Sequence, residues 1–215
     1  MLAVALSSER WPLFGTARPS DVVAAVECLA LAGIGALPVT LIAATAFRVG
    51  DLRVLAVGLL LPALLLGAVI ASRNDGLRRA APAALVAGLV ATAFYDLFRF
   101  GFLAVGLMRH DPIPHIGAAL HLRPAWAVGY AWRYIGNGGG LAVAFFALGL
   151  RGVRAGALYG LGVCAGLLVT LAVSPDGQAI LFPLSPTTVV MATGGHLIYG
   201  SVLGRIAECR SFSRQ

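Results

Sequence analysis

The sequence predicts an all-α, polytopic transmembrane helix bundle of about six spans, from its composition, its length and the spacing of its apolar runs. Of its 215 residues, 59% are apolar and only 12% are charged, and the mean hydropathy is +0.89. Soluble domains carry about 25% charged residues, so this composition indicates an integral membrane protein. Since each span needs about 20 apolar residues, the chain holds around six helices with short loops and no separate soluble domain.

Apolar runs separated by Arg, Pro or Gly-rich breaks are the predicted spans. They cover residues 22–47, 54–71, 80–108, 125–150, 155–174 and 184–204, and we expect 22–205 to form a single domain. The apolar stretch at the start of the chain is too short for a secretory signal peptide, so residues 1–21 are predicted to form a cytoplasmic or interfacial lead-in. Residues 206–215 are predicted to form a cytoplasmic tail.

The arginines predict the orientation, because all 16 basic residues are arginine and the net charge is +7. One side of the membrane receives Arg10, Arg18, Arg73, Arg78, Arg79, Arg151, Arg154, Arg205, Arg210 and Arg214, and the other receives Arg48, Arg53, Arg109 and Arg123. The positive-inside rule therefore places both termini in the cytoplasm. The membrane topology thus explains the positive net charge. The sequence has no basic patch interleaved with aromatic residues and no nucleic-acid-binding motif, so we do not expect nucleic acid as a partner. The absence of lysine and the abundance of Ala, Gly, Leu and Val are typical of a GC-rich bacterial genome, which predicts a bacterial inner membrane.

Glycines are expected where the helices pack. Gly162 with Gly166, and Gly200 with Gly204, are spaced for close helix contact. The glycines at 136 and 138–140 are expected to loosen the fourth span near its centre.

Three predicted spans each carry a stripe of polar residues on one helical face. The third carries Thr92, Tyr95, Asp96 and Arg99, the fourth Tyr130, Arg133, Tyr134 and Asn137, and the sixth Thr193, His196, Tyr199 and Gly200. A charge in mid-bilayer costs about 2.5–3.5 kcal/mol on insertion scales, so these stripes should face the interior of the bundle. Asp96, Asn137 and His196 each lie about 18 Å below the outer end of their span, at one level.

The charges of this cluster leave two interpretations open. Arg99 and Arg133 are expected one turn nearer the outside than Asp96, which leaves one positive charge without a partner. In the functional interpretation, that charge holds an anionic group or forms part of a proton relay. In the structural one, Asp96 and Arg99 form an internal salt bridge, Arg133 snorkels outward, and Asn137 and His196 bond between helices.

The loop after the third predicted span contains possible metal ligands. Asp111, His115 and His121 are the residue types of a two-histidine, one-carboxylate site. Histidines and acidic residues are also common at membrane edges, and two prolines interrupt this loop, so we do not assign a metal. The residues indicate no particular cofactor.

Residues 80–205 resemble a group of uncharacterised six-span bacterial membrane proteins. The matching elements are Tyr95-Asp96-x-x-Arg99, the stretch from Gly129-Tyr130 to Asn137-Gly138, and the run from Gly195-His196 to Gly204. A histidine often precedes the Asn-Gly of the group at the position where this chain has Arg133, which changes the charge of the site. The resemblance implies six spans, and its matching elements contain residues of the three polar stripes. It implies no activity.

Three functions are compatible with the sequence. The preferred one is a non-enzymatic membrane protein that binds or conducts a small anionic or amphiphilic ligand, held by Arg99 and Arg133. In this view, Asp96 orients Arg99, while Tyr95, Tyr130, Asn137, His196 and Tyr199 complete the site. The first alternative is an accessory subunit of a larger membrane complex, or of a homo-oligomer, in which these residues only hold helices together. The second is a membrane enzyme acting on a lipid or quinone through Asp96 or His196.

Overall fold

The structure is a computed structural model that describes residues 19–73, 75–108 and 110–212, and within these ranges the chain is helical without β-strands. Its helices are α1 (Pro19–Ala46), α2 (Leu52–Arg73), α3 (Asp75–Ala104), α4 (Ile113–Ala119), α5 (Ala125–Ala131, Trp132–Gly139 and Gly140–Ala147), α6 (Val153–Val173), α7 (Gly177–Ile180) and α8 (Pro186–Phe212). The prediction of an all-helical chain is confirmed. Residues 1–18 of the predicted lead-in lie outside the described residues, and α8 continues through the predicted tail as far as Phe212.

Within the described part of the chain, four helical stretches are long and apolar enough to cross a membrane. They are Val22–Ala46, Leu52–Arg73, Asp75–Ala104 and Val153–Val173. α5 is interrupted by a π-helical segment, and α8 is 27 residues long but contains threonines, glycines and a histidine that lower its hydropathy. These two helices carry two of the three predicted polar stripes, which explains why apolarity alone does not mark them.

A tight turn reverses the chain between α1 and α2. Arg48 adopts a left-handed backbone conformation with φ 61°, and the Asp51 side chain accepts hydrogen bonds from the backbone N–H groups of Arg53 and Val54. This cap satisfies the first N–H groups of α2 and fixes where the helix begins. α2 then returns along the edge of the bundle, where residues such as Leu64 and Leu65 are exposed, as expected for a helix facing lipid.

Glycines bring α6 and α8 into direct backbone contact. A Cβ atom added at Gly156 or Gly160 of α6 would collide with the carbonyl oxygens of Gly200 or His196 on α8. The expectation for Gly200 and Gly204 agrees with this contact, but the expectation for Gly162 and Gly166 is wrong. A Cβ added at either of the latter would meet nothing within 4 Å, because they lie on a different face of α6.

The middle of α5 is π-helical from Trp132 to Gly139, where the glycine run predicted a loosened helix. Gly138 packs against Gly88 and Thr92 of α3, and Gly140 packs against Gly35 of α1. Small residues therefore hold α5 close to two neighbours, and its polar stripe lies next to that of α3.

The loops after α1, α3 and α6 gather at one end of the bundle. Arg48, after α1, donates two hydrogen bonds of 2.7 Å to the carboxylate of Asp176, after α6. Ile113 of α4 shares an apolar cluster with Leu41 of α1 and Leu52 of α2. We call residues 47–51, 110–124 and 174–185 the loop end.

Candidate functional site

A buried network of charged side chains joins α3, α5 and the loop after α3. Asp96 and Arg99 stand one helical turn apart on α3, with side chains only 1% and 3% exposed. Arg99 Nε donates to Asp96 Oδ1 at 2.9 Å, Nη1 donates to Asp111 Oδ1 at 2.6 Å, and Nη2 donates to the Tyr130 hydroxyl at 3.1 Å. Each nitrogen of the Arg99 guanidinium therefore has an acceptor.

Arg133 reaches the same network from α5. Its Nε donates to both carboxylate oxygens of Asp96, at 2.8 and 3.0 Å, and its Nη2 lies 2.5 Å from Asp96 Oδ1. Its guanidinium also stacks on the ring of Tyr95, 4.5 Å from the centroid. Arg133 thus pairs with Asp96 across the helix interface. The structural interpretation, which expects Arg133 to snorkel outward, is wrong on this point.

Asp111 supplies a second negative charge to the network. It accepts from Arg99 and from the Tyr130 hydroxyl, the latter at 2.5 Å, and from the Ile113 N–H at 3.0 Å. Two arginines therefore face two aspartates, so the expectation of an unpaired positive charge is wrong. The sequence predicts Asp111 only as a possible metal ligand, because it lies in a loop 12 residues beyond Arg99.

His196 and Tyr199 of the α8 stripe lie beside this network. The His196 ring packs edge-on against Tyr95 with centroids 5.1 Å apart, and its Nδ1 lies 2.8 Å from the Ala192 carbonyl oxygen of its own helix. Tyr199 donates to the Gly138 carbonyl oxygen at 2.6 Å, which ties α8 to the π-helical segment of α5. The structure thus brings together the eight residues proposed for the site, around Tyr95 and Asp96.

Two polar atoms in this region are buried without a hydrogen-bond partner among the described residues. They are Asn137 Oδ1 and Arg133 Nη2, whose short contact with Asp96 is not aligned as a hydrogen bond. Buried polar groups normally find a partner, so each such exception calls for an explanation such as a water or a ligand. The expected hydrogen bonds from Asn137 and His196 to neighbouring helices are absent within the described residues.

A cavity of about 510 Å³ adjoins the network, within the usual range for small-molecule sites. Polar residues from three helices line one part of it: Thr92, Arg133, Asn137, His196 and Tyr199. The other walls are mostly apolar and include Ala36 and Val39 of α1, Val163 and Leu167 of α6, and Phe182. The five polar residues lie around Gly138 and Tyr95, and we call them the polar end of the mostly apolar cavity.

We call Thr40 of α1 and Gly166 of α6 the lateral rim of the cavity. Both residues line the cavity and are also exposed on the surface of the bundle. They belong to two of the helical stretches that are long and apolar enough to cross a membrane. The rim therefore faces the region where lipid chains would lie.

The loop end has a groove of about 490 Å³ lined by His110, His115 and Gln178. Within residues 19–73, 75–108 and 110–212, no three His, Cys, Asp or Glu side chains are close enough together to hold a metal ion. Asp111 is occupied by Arg99 and Tyr130, so the three residues considered as metal ligands do not form one site.

Acid is expected to weaken this network through Asp111. Burial raises the pKa of its carboxyl, but the hydrogen bonds from Tyr130 and the Ile113 N–H, with the charge of Arg99, outweigh burial and lower the net pKa. Such a carboxyl stabilises the fold above its unfolded pKa and loses that contribution as the pH falls through its folded pKa. We expect the Tm of the purified protein to fall below about pH 4, and Asp111→Asn to flatten this fall.

The matched control is Asp176→Asn. The hydrogen bond from Arg48 holds the pKa of Asp176 below its ordinary value, but that pair is exposed. If Asp176→Asn flattens the acid dependence of Tm and Asp111→Asn does not, the acid sensitivity belongs to the exposed pair.

Comparison of the chain with known proteins found no relative. The chain matches no protein-family model, no curated protein and no solved structure. The interpretation of the site therefore depends on its own residues and geometry.

Proposed function

We propose that this chain is a multi-pass protein of the bacterial inner membrane whose cavity binds a small amphiphilic ligand. The polar end, at Arg133, Asn137 and His196, would hold the head group, and the apolar walls of α1 and α6 would hold the hydrocarbon part. The observation that carries this proposal is one cavity whose mostly apolar walls include the polar residues Arg133, Asn137 and His196. The lateral rim offers a route from the bilayer.

We also propose that six helices cross the membrane, with both termini in the cytoplasm and the loop end outside. The ion pair between Arg48, after α1, and Asp176, after α6, supports this topology, since both helices would then run outward and end on the same side. The antiparallel α6 and α8, in contact through Gly156 and Gly200, would occupy the last two crossings. The unequal distribution of arginines supports the orientation. Membership of the group of uncharacterised six-span proteins that the chain resembles stays a prediction.

An amphiphile suits the site better than a small inorganic anion. The charges of Arg99 and Arg133 are already matched by Asp96 and Asp111. A further buried negative charge would have no unpaired cation to meet. The enzymatic alternative also loses support at Asp96, because both carboxylate oxygens accept hydrogen bonds from Arg133.

The second candidate function is an accessory subunit of a membrane complex or homo-oligomer. It is favoured by the network itself, which ties α3 to α5 and to the loop end through Arg99, Asp111 and Tyr130. A purely structural clasp needs no cavity and no ligand. The two candidates therefore differ in whether obstructing the cavity has any consequence.

Gly166→Phe tests the proposed function, with Gly162→Phe as the matched control. A Cβ at either position meets nothing within 4 Å, so both variants should fold, but only Gly166 lines the cavity. With dodecanol as the probe and native mass spectrometry as the readout, we expect one bound probe in the wild type and in Gly162→Phe. Gly166→Phe should bind about tenfold less, as expected when access to a pocket is lost. Equal binding by the three proteins, or no binding by any, would contradict the proposal.

A further inference from the structure

We infer, resting on the proposed function, that the ligand's head group is uncharged and carries a hydroxyl group. The class is a neutral lipid alcohol, whose head both donates and accepts hydrogen bonds. The inference rests on the charge balance beside the cavity, on the hydrogen-bonding capacity of its polar end, and on its apolar walls.

The charge balance argues against a charged head. Each of the three guanidinium nitrogens of Arg99 already donates to an acceptor, namely Asp96, Asp111 or Tyr130. Arg133 pairs with Asp96, which also accepts from Arg99, through three contacts of 2.5 to 3.0 Å. An anionic head would add a third negative charge beside two aspartates, and a cationic head would add a third positive charge beside two arginines. Either would be buried without its own counter-ion, which is costly.

The polar residues that line the cavity carry both hydrogen-bond donors and hydrogen-bond acceptors. Arg133 carries only N–H donors, and its Nη2 lacks an aligned acceptor. Asn137 Oδ1 is an acceptor without a donor. Since the Ala192 carbonyl can only accept, His196 Nδ1 carries the proton, which leaves Nε2 of the neutral ring as a second acceptor.

A hydroxyl group offers both kinds of hydrogen bond. It donates one hydrogen bond and accepts up to two, whereas a carboxylate only accepts and an ammonium only donates. Arg133 and His196 both contact the ring of Tyr95 and both line the cavity. Asn137 stands one turn from Arg133 on α5 and lines the same cavity.

The apolar walls of the cavity indicate the chemistry of the ligand outside its head group. Ala36, Val39 and Leu167 offer no hydrogen-bonding side chain, so they suit a hydrocarbon chain. The lateral rim at Thr40 and Gly166 allows a chain longer than the cavity to extend toward lipid. A lipid alcohol fits this shape, whereas a free polyol would leave the apolar walls without contacts.

The test compares probes that share one alkyl chain and differ in the head. Dodecanol donates and accepts, dodecyl methyl ether only accepts, dodecanoate is an anion and dodecyltrimethylammonium is a cation. Binding to the purified full-length protein is measured by native mass spectrometry. We expect dodecanol to bind about tenfold more tightly than its methyl ether, because the ether leaves a buried acceptor unpaired, and more tightly than either ion.

Asn137→Ala links the preference to the site. Removing the amide oxygen should bring the affinities for dodecanol and its methyl ether within about twofold of each other, with alkyl-chain binding retained. An unchanged ratio in Asn137→Ala would contradict a role for this side chain. If the variant does not fold, the wild-type series still decides the head group.

The outcomes separate this inference from the proposed function. Dodecanoate binding more tightly than dodecanol, with binding lost in Gly166→Phe, would overturn the uncharged head and leave the cavity proposal standing. Equal binding of the four probes would also overturn the uncharged head group and leave the cavity proposal standing. No binding of any probe would overturn both.

Discussion

Replacing Asp96 with asparagine is expected to lower the free energy of unfolding by about 3–5 kcal/mol, the cost of breaking a buried ion pair by removing one partner. Asp96 is 1% exposed and accepts hydrogen bonds from Arg99 and Arg133. Its loss leaves the Arg133 guanidinium in an apolar interior without a carboxylate. We expect the effect in SDS titrations of the purified protein and as a lower Tm.

Two further variants show whether burial is the cause. Combining Asp96→Asn with Arg133→Gln removes the stranded charge and should recover a large part of the lost stability. Asp176→Asn removes the carboxylate of an exposed pair and should have a much smaller effect. If Asp96→Asn costs no more than Asp176→Asn, the network is hydrated and contributes little to the fold.

Replacing Gly200 with leucine is expected to have the second large effect, because it separates α6 from α8. Even a Cβ at this position collides with the carbonyl oxygen of Gly156 and approaches Gly160 N to 3.1 Å. Backbone atoms cannot move aside as a flexible side chain can. Overpacking of this kind costs about 1–3 kcal/mol or more. The measurement is again the free energy of unfolding in SDS, with the yield of folded protein as a second readout.

Gly162→Leu is the control for this prediction, because a Cβ at Gly162 meets nothing within 4 Å. Leucine has a higher helix propensity than glycine by roughly 0.5–1 kcal/mol, so this variant should be neutral or slightly more stable. Equal losses in both variants would contradict the close contact between α6 and α8.

The polar stripes could be predicted because helical periodicity is a local property of the sequence. Tyr95, Asp96 and Arg99 share a face of α3 whatever surrounds them. The cost of a charge in lipid then requires that face to turn inward. The meeting of the three stripes around Tyr95 agrees with this reasoning.

The partners of these residues could not be predicted in the same way. Asp111 follows the third predicted span, and its loop had to fold back before the carboxylate could reach Arg99. Likewise, the spacing of Gly162 and Gly166 is the same as that of Gly156 and Gly160, but only the latter pair faces α8. Spacing predicts which residues share a face, and it does not say which helix that face meets.

The sequence by itself determined that this chain is a bundle of apolar helices with three polar stripes, because composition and periodicity depend only on residue type and spacing. The tertiary structure decided the rest. It paired Arg133 with Asp96, brought Asp111 to Arg99, and left a cavity beside Asn137 and His196. These features depend on the rotation and separation of neighbouring helices, which are set by packing across the whole bundle.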